Sequence, residues 1–414
     1  MIIRKQLQTG IATMLFLLIS LTAQAQTSDS LIVSQMRNVG IHFYKNNDVK
    51  LIMSGKQKFD MMFEDIRNAK SSVHLEYFNF RNDSIASLLF DILREKRKEG
   101  VEVRALFDGF GNDSNNQPLK KHHIKSLRED SIDIHEFDPV RFPWVNHIWP
   151  RDHRKIVVID GHIAYTGGMN VADYYIVGTK QVGEWRDLHC RIEGPVVNEL
   201  QDIFARIWQR VTKEQLNNPK YFRGEEKGDM MVGIANREPN KTNKIMRQFY
   251  VSALDDAQDS IKIINPYFTL TPSVKKAIKR AIKRGVKVDI LVSAKSDIPL
   301  TPDVVYYNVH KLMKKGANIW LYQPGFHHSK IMMVDGKFCT VGSTNLDARS
   351  LRYDYEVNAL IIDKKITKEL DDMFIRDTKK SVLLTKEEWN NFRTGWQKFR
   401  GWFVGSTGSD NTEN

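Results

Sequence analysis

His153-Arg154-Lys155 is followed by Asp160 and then by Gly167-Gly168-Met169-Asn170, and His328-Ser329-Lys330 is followed by Asp335 and then by Gly342-Ser343-Thr344-Asn345. Both stretches read H-x-K-x4-D-x6-G-[GS]-x-N with the same internal spacing. A single H-x-K is noise; two copies matched at six positions each are not. Displacement at phosphorus by a covalent route needs two histidines. A neutral imidazole attacks, and a protonated one hands its proton to the leaving oxygen. Negative charge grows on the non-bridging oxygens during such a transfer. Lys155 and Lys330, with the side-chain amides of Asn170 and Asn345, are suited to meet that charge. Gly167, Gly168, Gly342 and Ser343 are small enough for the chain to approach a phosphate closely. Asp187 in Trp185-Arg186-Asp187 and Glu356 in Tyr355-Glu356-Val357 occupy comparable places after the two motifs, and each is a candidate to orient an imidazole. Two histidines around one phosphate titrate as a coupled pair, which helps to split their protonation states.

The elements that must carry these residues are legible. Lys155 to Asp160 and Lys330 to Asp335 read as strands with a turn after the aspartate. Side chains two apart on a strand share a face, so His153 points with Lys155 and His328 with Lys330. Upstream, Val73 to Phe78 reads as a strand, Asp83 to Glu99 as an amphipathic helix stopped by Gly100, and Val101 to Asp108 as a second strand. The second half repeats this order. Ile261 to Phe268 is a strand, Thr271-Pro272 opens a helix that runs to Arg284, Gly285 stops it, and Val286 to Ser293 is the next strand. The copies lie 185 residues apart at Gly100 and Gly285 and 175 apart at His153 and His328, a difference that one loop can absorb. The pattern predicts an α/β fold of two similar halves, each a mostly parallel sheet flanked by helices. The expected boundaries are 26–222 for the first half, 223–243 for a polar connector, 244–404 for the second half and 405–414 for a disordered tail.

At 414 residues and a formal charge of +12, the chain is long enough for two such halves and favours an anionic partner, nucleic acid or acidic lipid. Residues 1–25 read as a cleaved export signal: Arg4 and Lys5, the apolar run Ile11 to Leu21, then Ala23-Gln24-Ala25. The expectation is an exported protein, periplasmic or peripheral at the outer face of the membrane. The alternative is an inner-membrane protein held by an uncleaved anchor. Cys190 and Cys339, the only cysteines, are expected as buried free thiols, and His122-His123 as a loop pair rather than a metal site. Two aromatic stretches are candidate lipid contacts. One is Phe142-Pro143-Trp144 with Trp149-Pro150. The other is Trp389, Phe392, Trp396, Phe399 and Phe403 at helical spacing after a Thr385–Glu388 capping box; a helix packed on the core reads the same way.

With these residues in view, the chain resembles the phospholipase D superfamily with two H-x-K-D motifs, and within it the bacterial cardiolipin synthases. Glu76-Tyr77-Phe78, Gly100 to Arg104, Trp185-Arg186-Asp187, Arg191 to Pro195 and Asn345 to Ser350 carry the closer match, which covers roughly residues 73–358. The resemblance implies two halves packed about a pseudo-twofold axis around one shared site, and transfer through a phosphohistidine without metal or cofactor. It implies site roles for His153, Lys155, Asp160 and Asn170 and for His328, Lys330, Asp335 and Asn345, with the aspartates bracing strand and loop. It also places the nucleophile in the N-terminal motif. The implied reaction joins two phosphatidylglycerols into cardiolipin and releases glycerol, with an anionic phospholipid surface as partner and no nucleic acid. Hydrolysis to phosphatidic acid uses the same chemistry with water as acceptor, and cutting of nucleic acid is a third reading that the positive charge permits. Many cardiolipin synthases begin with membrane-spanning helices; this chain departs from that pattern in its first 25 residues.

Overall fold

A computed structural model describes residues 32–143, 150–299 and 301–407. Among the described residues, one sheet of fifteen strands runs through both halves. Its N-terminal part holds β1 (Phe43–Ile52), β2 (Ser72–Tyr77), β3 (Glu102–Asp108), β4 (Asp133–Phe137), β5 (Ile156–Ile159), β6 (Ile163–Gly167) and β8 (His189–Glu193). Its C-terminal part holds β9 (Met230–Arg237), β10 (Ser260–Ile264), β11 (Lys287–Ser293), β12 (Asn318–Tyr322), β14 (Ile331–Val334), β15 (Phe338–Gly342), β16 (Glu356–Ile362) and β17 (Ser381–Leu383). Two short strands, β7 (Glu184–Arg186) and β13 (Gly325–His327), pair outside it.

The strand order is β17-β12-β11-β10-β14-β15-β16-β9-β1-β8-β6-β5-β2-β3-β4. Apart from β17, it reads the same from either end: β4, β3, β2, β5, β6, β8 and β1 answer β12, β11, β10, β14, β15, β16 and β9. This is the expected α/β fold of two similar halves about an approximate twofold. The sheet is mixed: the expected parallel pairing holds within the triplets β2-β3-β4 and β10-β11-β12, whereas the motif strands and the β1–β9 seam are antiparallel. Segment 223–243, expected as a polar connector, contains β9, which pairs with both β16 and β1 at the centre of the sheet.

Local rules account for the flanking helices. Asp83 caps the helix Ser84–Lys98 by accepting from the Ala86 amide, and its apolar stripe, with Leu89, Phe90 and Leu93, is buried. In the other half the helix Pro272–Lys283 starts with proline in its first turn and buries Val274, Ala277, Ile278 and Ala281. The motif strands are buried along their whole length, as strands covered on both faces must be. One cluster joins the halves, with Ile156 and Val158 packing among Ile331, Met333 and Val357. Cys190 and Cys339 are buried free thiols, as expected. His122 and His123 lie in the first turn of a helix, Lys121–Glu129, rather than in a loop.

The expected localisation is corrected. A membrane span needs about 20 apolar residues in one helix, and among the described residues no helix is long and apolar enough. The longest, Val197–Thr212, has 16 residues and is amphipathic. The export signal at 1–25 lies outside the described residues, and so do Trp144 and Trp149. The expectation of export, with its anchored alternative, is therefore dropped. The C-terminal aromatic series is two helices, Lys386–Phe392 and Gly395–Thr407. Trp389 is buried and stacks on His310, while Trp396, Phe399, Trp402 and Phe403 are exposed. The second helix enters the stretch expected as a tail, and 408–414 lie outside the described residues.

Candidate functional site

His153 and His328 line one cavity of about 510 Å³ between the halves. Each is held by the other half. The backbone ahead of His153 bridges to that ahead of Glu356: Asp152 pairs with Tyr355, and the His153 amide donates to the Tyr355 carbonyl at 3.1 Å. The backbone ahead of His328 pairs with that ahead of Asp187 through β13 and β7, and the His328 amide donates to the Arg186 carbonyl at 2.6 Å. The side chains cross accordingly. His153 Nδ1 lies 3.1 Å from Glu356 Oε1, and His328 Nδ1 lies 2.7 Å from Asp187 Oδ2. The two acids singled out in the sequence thus reach the histidines, each across the twofold. In both cases Nε2 is left as the nitrogen for chemistry.

The two pairs differ electrostatically. Burial pushes the Glu356 carboxyl up to about 7, against the pull of Lys155 and Ser343. Burial also works to raise Asp187, but Lys330 and His328 beside it outweigh burial and hold it below the usual carboxylate range. His153 is driven well below the ordinary imidazole value by burial, then by Lys155 and Lys330. His328 is lowered by burial and Lys330, while Asp187 works in the other direction. One site therefore holds an imidazole inclined to stay neutral and another with an ionised partner.

Lys155 and Lys330 are buried, and each ammonium donates to the carbonyl of its own motif histidine. Lys330 also lies 3.0 Å from His328 Nε2. Burial pulls Lys155 down to about 7 and Lys330 to about 8, so an anion in the cavity would restore their charge. Asn170 and Asn345 line the cavity from corresponding places. Asp160 and Asp335 are not among the cavity-lining residues. Asp160 accepts from the amides of Lys70, Ser71 and Ser72 at 2.7–2.9 Å, and Asp335 from those of Gln258, Asp259 and Ser260 at 2.8–3.0 Å. Both tie the end of the motif strand to the start of its neighbour. Asp160→Ala is expected to lower stability by about 1.5–3 kcal/mol, measured by urea denaturation. The chemistry per folded molecule should survive, and a variant of full stability would contradict the bracing role.

The small residues serve otherwise than the spacing suggested. Gly168 makes room for the Asp187 carboxylate, where any Cβ would collide with it. Ser343 at the matching place is fully buried and donates through Oγ to Glu356. They seat the orienting acids rather than the phosphate. Sequence reasoning missed Arg154, the middle residue of the first motif. It is buried with Glu76 at 2.7 Å and Asp152 at 3.1 Å, and also bonds Asn236. Lys58, buried on the helix Gly55–Asn68, donates to the carbonyls of Met169 and Asn170 and so holds the asparagine loop. The only available signal was a lysine interrupting an apolar stripe at Lys58, Met62 and Ile66.

A family model described as "Cardiolipin synthase, PLD-like domain" matches residues 62–208 and 250–378. Cardiolipin synthase of Oceanobacillus iheyensis is 34% identical over 358 residues, covering 86% of this chain and 74% of that protein. Cardiolipin synthase 2 of Staphylococcus epidermidis is 37% identical over 348 residues, covering 83% and 70%. Among solved structures, phosphatidylserine synthase from Haemophilus influenzae aligns over 91% of this chain and 98% of its own, with a TM-score of 0.71 at 16% identity. At that identity the likeness speaks for the fold alone.

Proposed function

Because the chain belongs to the cardiolipin synthase family of phospholipase D-like proteins, we propose that it joins two phosphatidylglycerols into cardiolipin through a phosphatidyl-histidine. The observation that carries this reading is the pair of histidines in one cavity, each oriented by a carboxylate of the opposite half. His153 Nε2 attacks the phosphorus of the first lipid. The bond from phosphorus to the glycerol oxygen breaks, and His328 gives that oxygen its proton, releasing glycerol. A hydroxyl of the second phosphatidylglycerol then attacks phosphorus, neutral His328 takes its proton, and the phosphorus–nitrogen bond to His153 breaks. Cardiolipin leaves, and both imidazoles return to their starting states.

The assignment of roles follows from the electrostatics. His153 has the weaker anionic partner and two lysines nearby, which suits a neutral nucleophile. Phosphate binding engages Lys330 and leaves the ionised Asp187 as the main neighbour of His328, which suits a general acid. The exposed face of the last helix, with Trp396, Phe399 and Trp402 beside Lys398, supports delivery of the lipid from an anionic surface.

Purified full-length protein on phosphatidylglycerol vesicles is expected to yield cardiolipin and free glycerol in equal amounts by mass spectrometry. The yield should be unchanged by exhaustive chelation, since lysines and amides meet the phosphate charge. Phosphatidic acid as the sole product would replace the transferase with a hydrolase. Activity lost on chelation and restored by one divalent ion would end the metal-independent scheme.

A further inference from the structure

The cavity is less symmetric than the motifs that build it. The motif aspartates hold the amides of Ser72 and Ser260, so these two residues correspond. Seven residues on, Asn79 stands in one half and Tyr267 in the other; two residues past the motif asparagines stand Ala172 and Asp347. Among the described residues, the three carboxylates that line the cavity, Asp297, Asp347 and Asp354, all come from the C-terminal half. Asp354 is committed to structure, accepting from the Arg151 amide at 3.0 Å and from Arg349 Nε at 2.7 Å.

Of the other two, Asp297 stands on the His328 side and Asp347 lines the cavity with it. Asp297 accepts from the Tyr267 hydroxyl at 2.7 Å, and the Tyr267 ring lies 6.0 Å from the His328 ring. Asp347 uses Oδ1 to cap the short helix Ala348–Arg352, and its side chain forms part of the cavity wall. Asn345 and its counterpart Asn170, each only 6% exposed, both line the cavity with an amide oxygen that has no hydrogen-bond partner, so the asymmetry lies in the carboxylates and not in the asparagines. Thr269 and Thr301 add hydroxyls to this side. Carboxylates repel a phosphodiester but accept hydrogen bonds from hydroxyl groups.

We propose that this C-terminal wall, Asp297 with Tyr267 together with Asp347, is a binding subsite for a neutral polyol headgroup beside His328. It takes the glycerol that leaves and then the glycerol of the second lipid, whose hydroxyl His328 deprotonates. The subsite rests on the transfer reading and adds to it the basis of acceptor choice. An ammonium headgroup is the other ligand that carboxylates attract. Arg349 lines the same wall and disfavours a cation, and burial pushes the Asp347 carboxyl up to about 7, where it donates to hydroxyls as well as accepting from them.

The test is the partition of the phosphoenzyme between alcohol and water. Full-length protein is given phosphatidylglycerol vesicles and deuterated glycerol, and labelled phosphatidylglycerol is divided by phosphatidic acid within each sample. Taken as a ratio, the readout is unaffected by a partly folded variant. Asp297→Asn, Asp347→Asn and Tyr267→Phe are each expected to lower the ratio tenfold or more; asparagine still caps a helix, so Asp347→Asn keeps the fold. Ratios within twofold of the wild type overturn the subsite while leaving transfer in place. Deuterated ethanolamine captured by the wild type better than glycerol also overturns it, in favour of a cation site. A wild type that makes only phosphatidic acid overturns both readings, and the absence of any labelled lipid identifies that case.

Discussion

His153→Ala should form no phosphoenzyme with any substrate, whereas His328→Ala should still form one when the leaving group needs no proton. With a p-nitrophenyl phosphodiester, whose leaving group departs as the phenolate, His328→Ala is expected to give a burst of p-nitrophenol. On phosphatidylglycerol the same variant should be slower by ~10²–10⁴, the usual worth of general acid help. The direction follows from the two carboxylates. Asp187 stays ionised and offsets part of the lowering that burial and Lys330 impose on His328, while the Glu356 carboxyl, raised to about 7, gives His153 the weaker anionic partner. Phosphate trapped on His328 in the wild type would reverse the roles and keep the two-histidine scheme.

Arg154→Met is expected to cost about 3–5 kcal/mol of stability, the range for removing one partner of a buried ion pair. The guanidinium is buried, sits 2.7 Å from Glu76 and 3.1 Å from Asp152, and lies over the Tyr355 ring. Without it, two acids with almost no exposure lose their cation. Burial already pushes the Glu76 carboxyl well up, so the orphaned acid would take a proton rather than stay charged. Adding Glu76→Gln should recover part of the loss, as read from urea midpoints. A single variant with a midpoint near the wild type would mean that the pair contributes little. Ser329 takes this place in the second motif, so the same test there should have a far smaller effect.

Local rules made much of this legible. Strand β2, the helix Ser84–Lys98 and strand β3 follow from period, cap and the stop at Gly100, and their counterparts around Gly285 follow in the same way. The repeat also located the histidines, lysines and asparagines. Strand β9 was hidden because polar residues flank its apolar run, and both its partners, β1 and β16, are distant in sequence. Arg154 was hidden by the reasoning that found its neighbours. If His153 and Lys155 share one face of the chain, the residue between them points to the other, and an arginine there reads as solvated. The aromatic series near the C-terminus reads as one helix, but Arg393 is extended and buried against Asp303, which breaks it in two. Which acid reaches which histidine is a tertiary outcome that no local pattern encodes.

The crossing of histidines and acids has a consequence for how activity arises. A half folded by itself would present an imidazole without its orienting carboxylate and a carboxylate without its imidazole. Catalysis is thus a logical conjunction, switched on only when both halves have folded and closed along the β1–β9 seam. A partly folded chain carries no stray phosphohistidine chemistry, and damage in one half silences the nucleophile or acid of the other. Two inactive full-length chains, each crippled in a different half, could restore a working site only by exchanging whole halves across that seam.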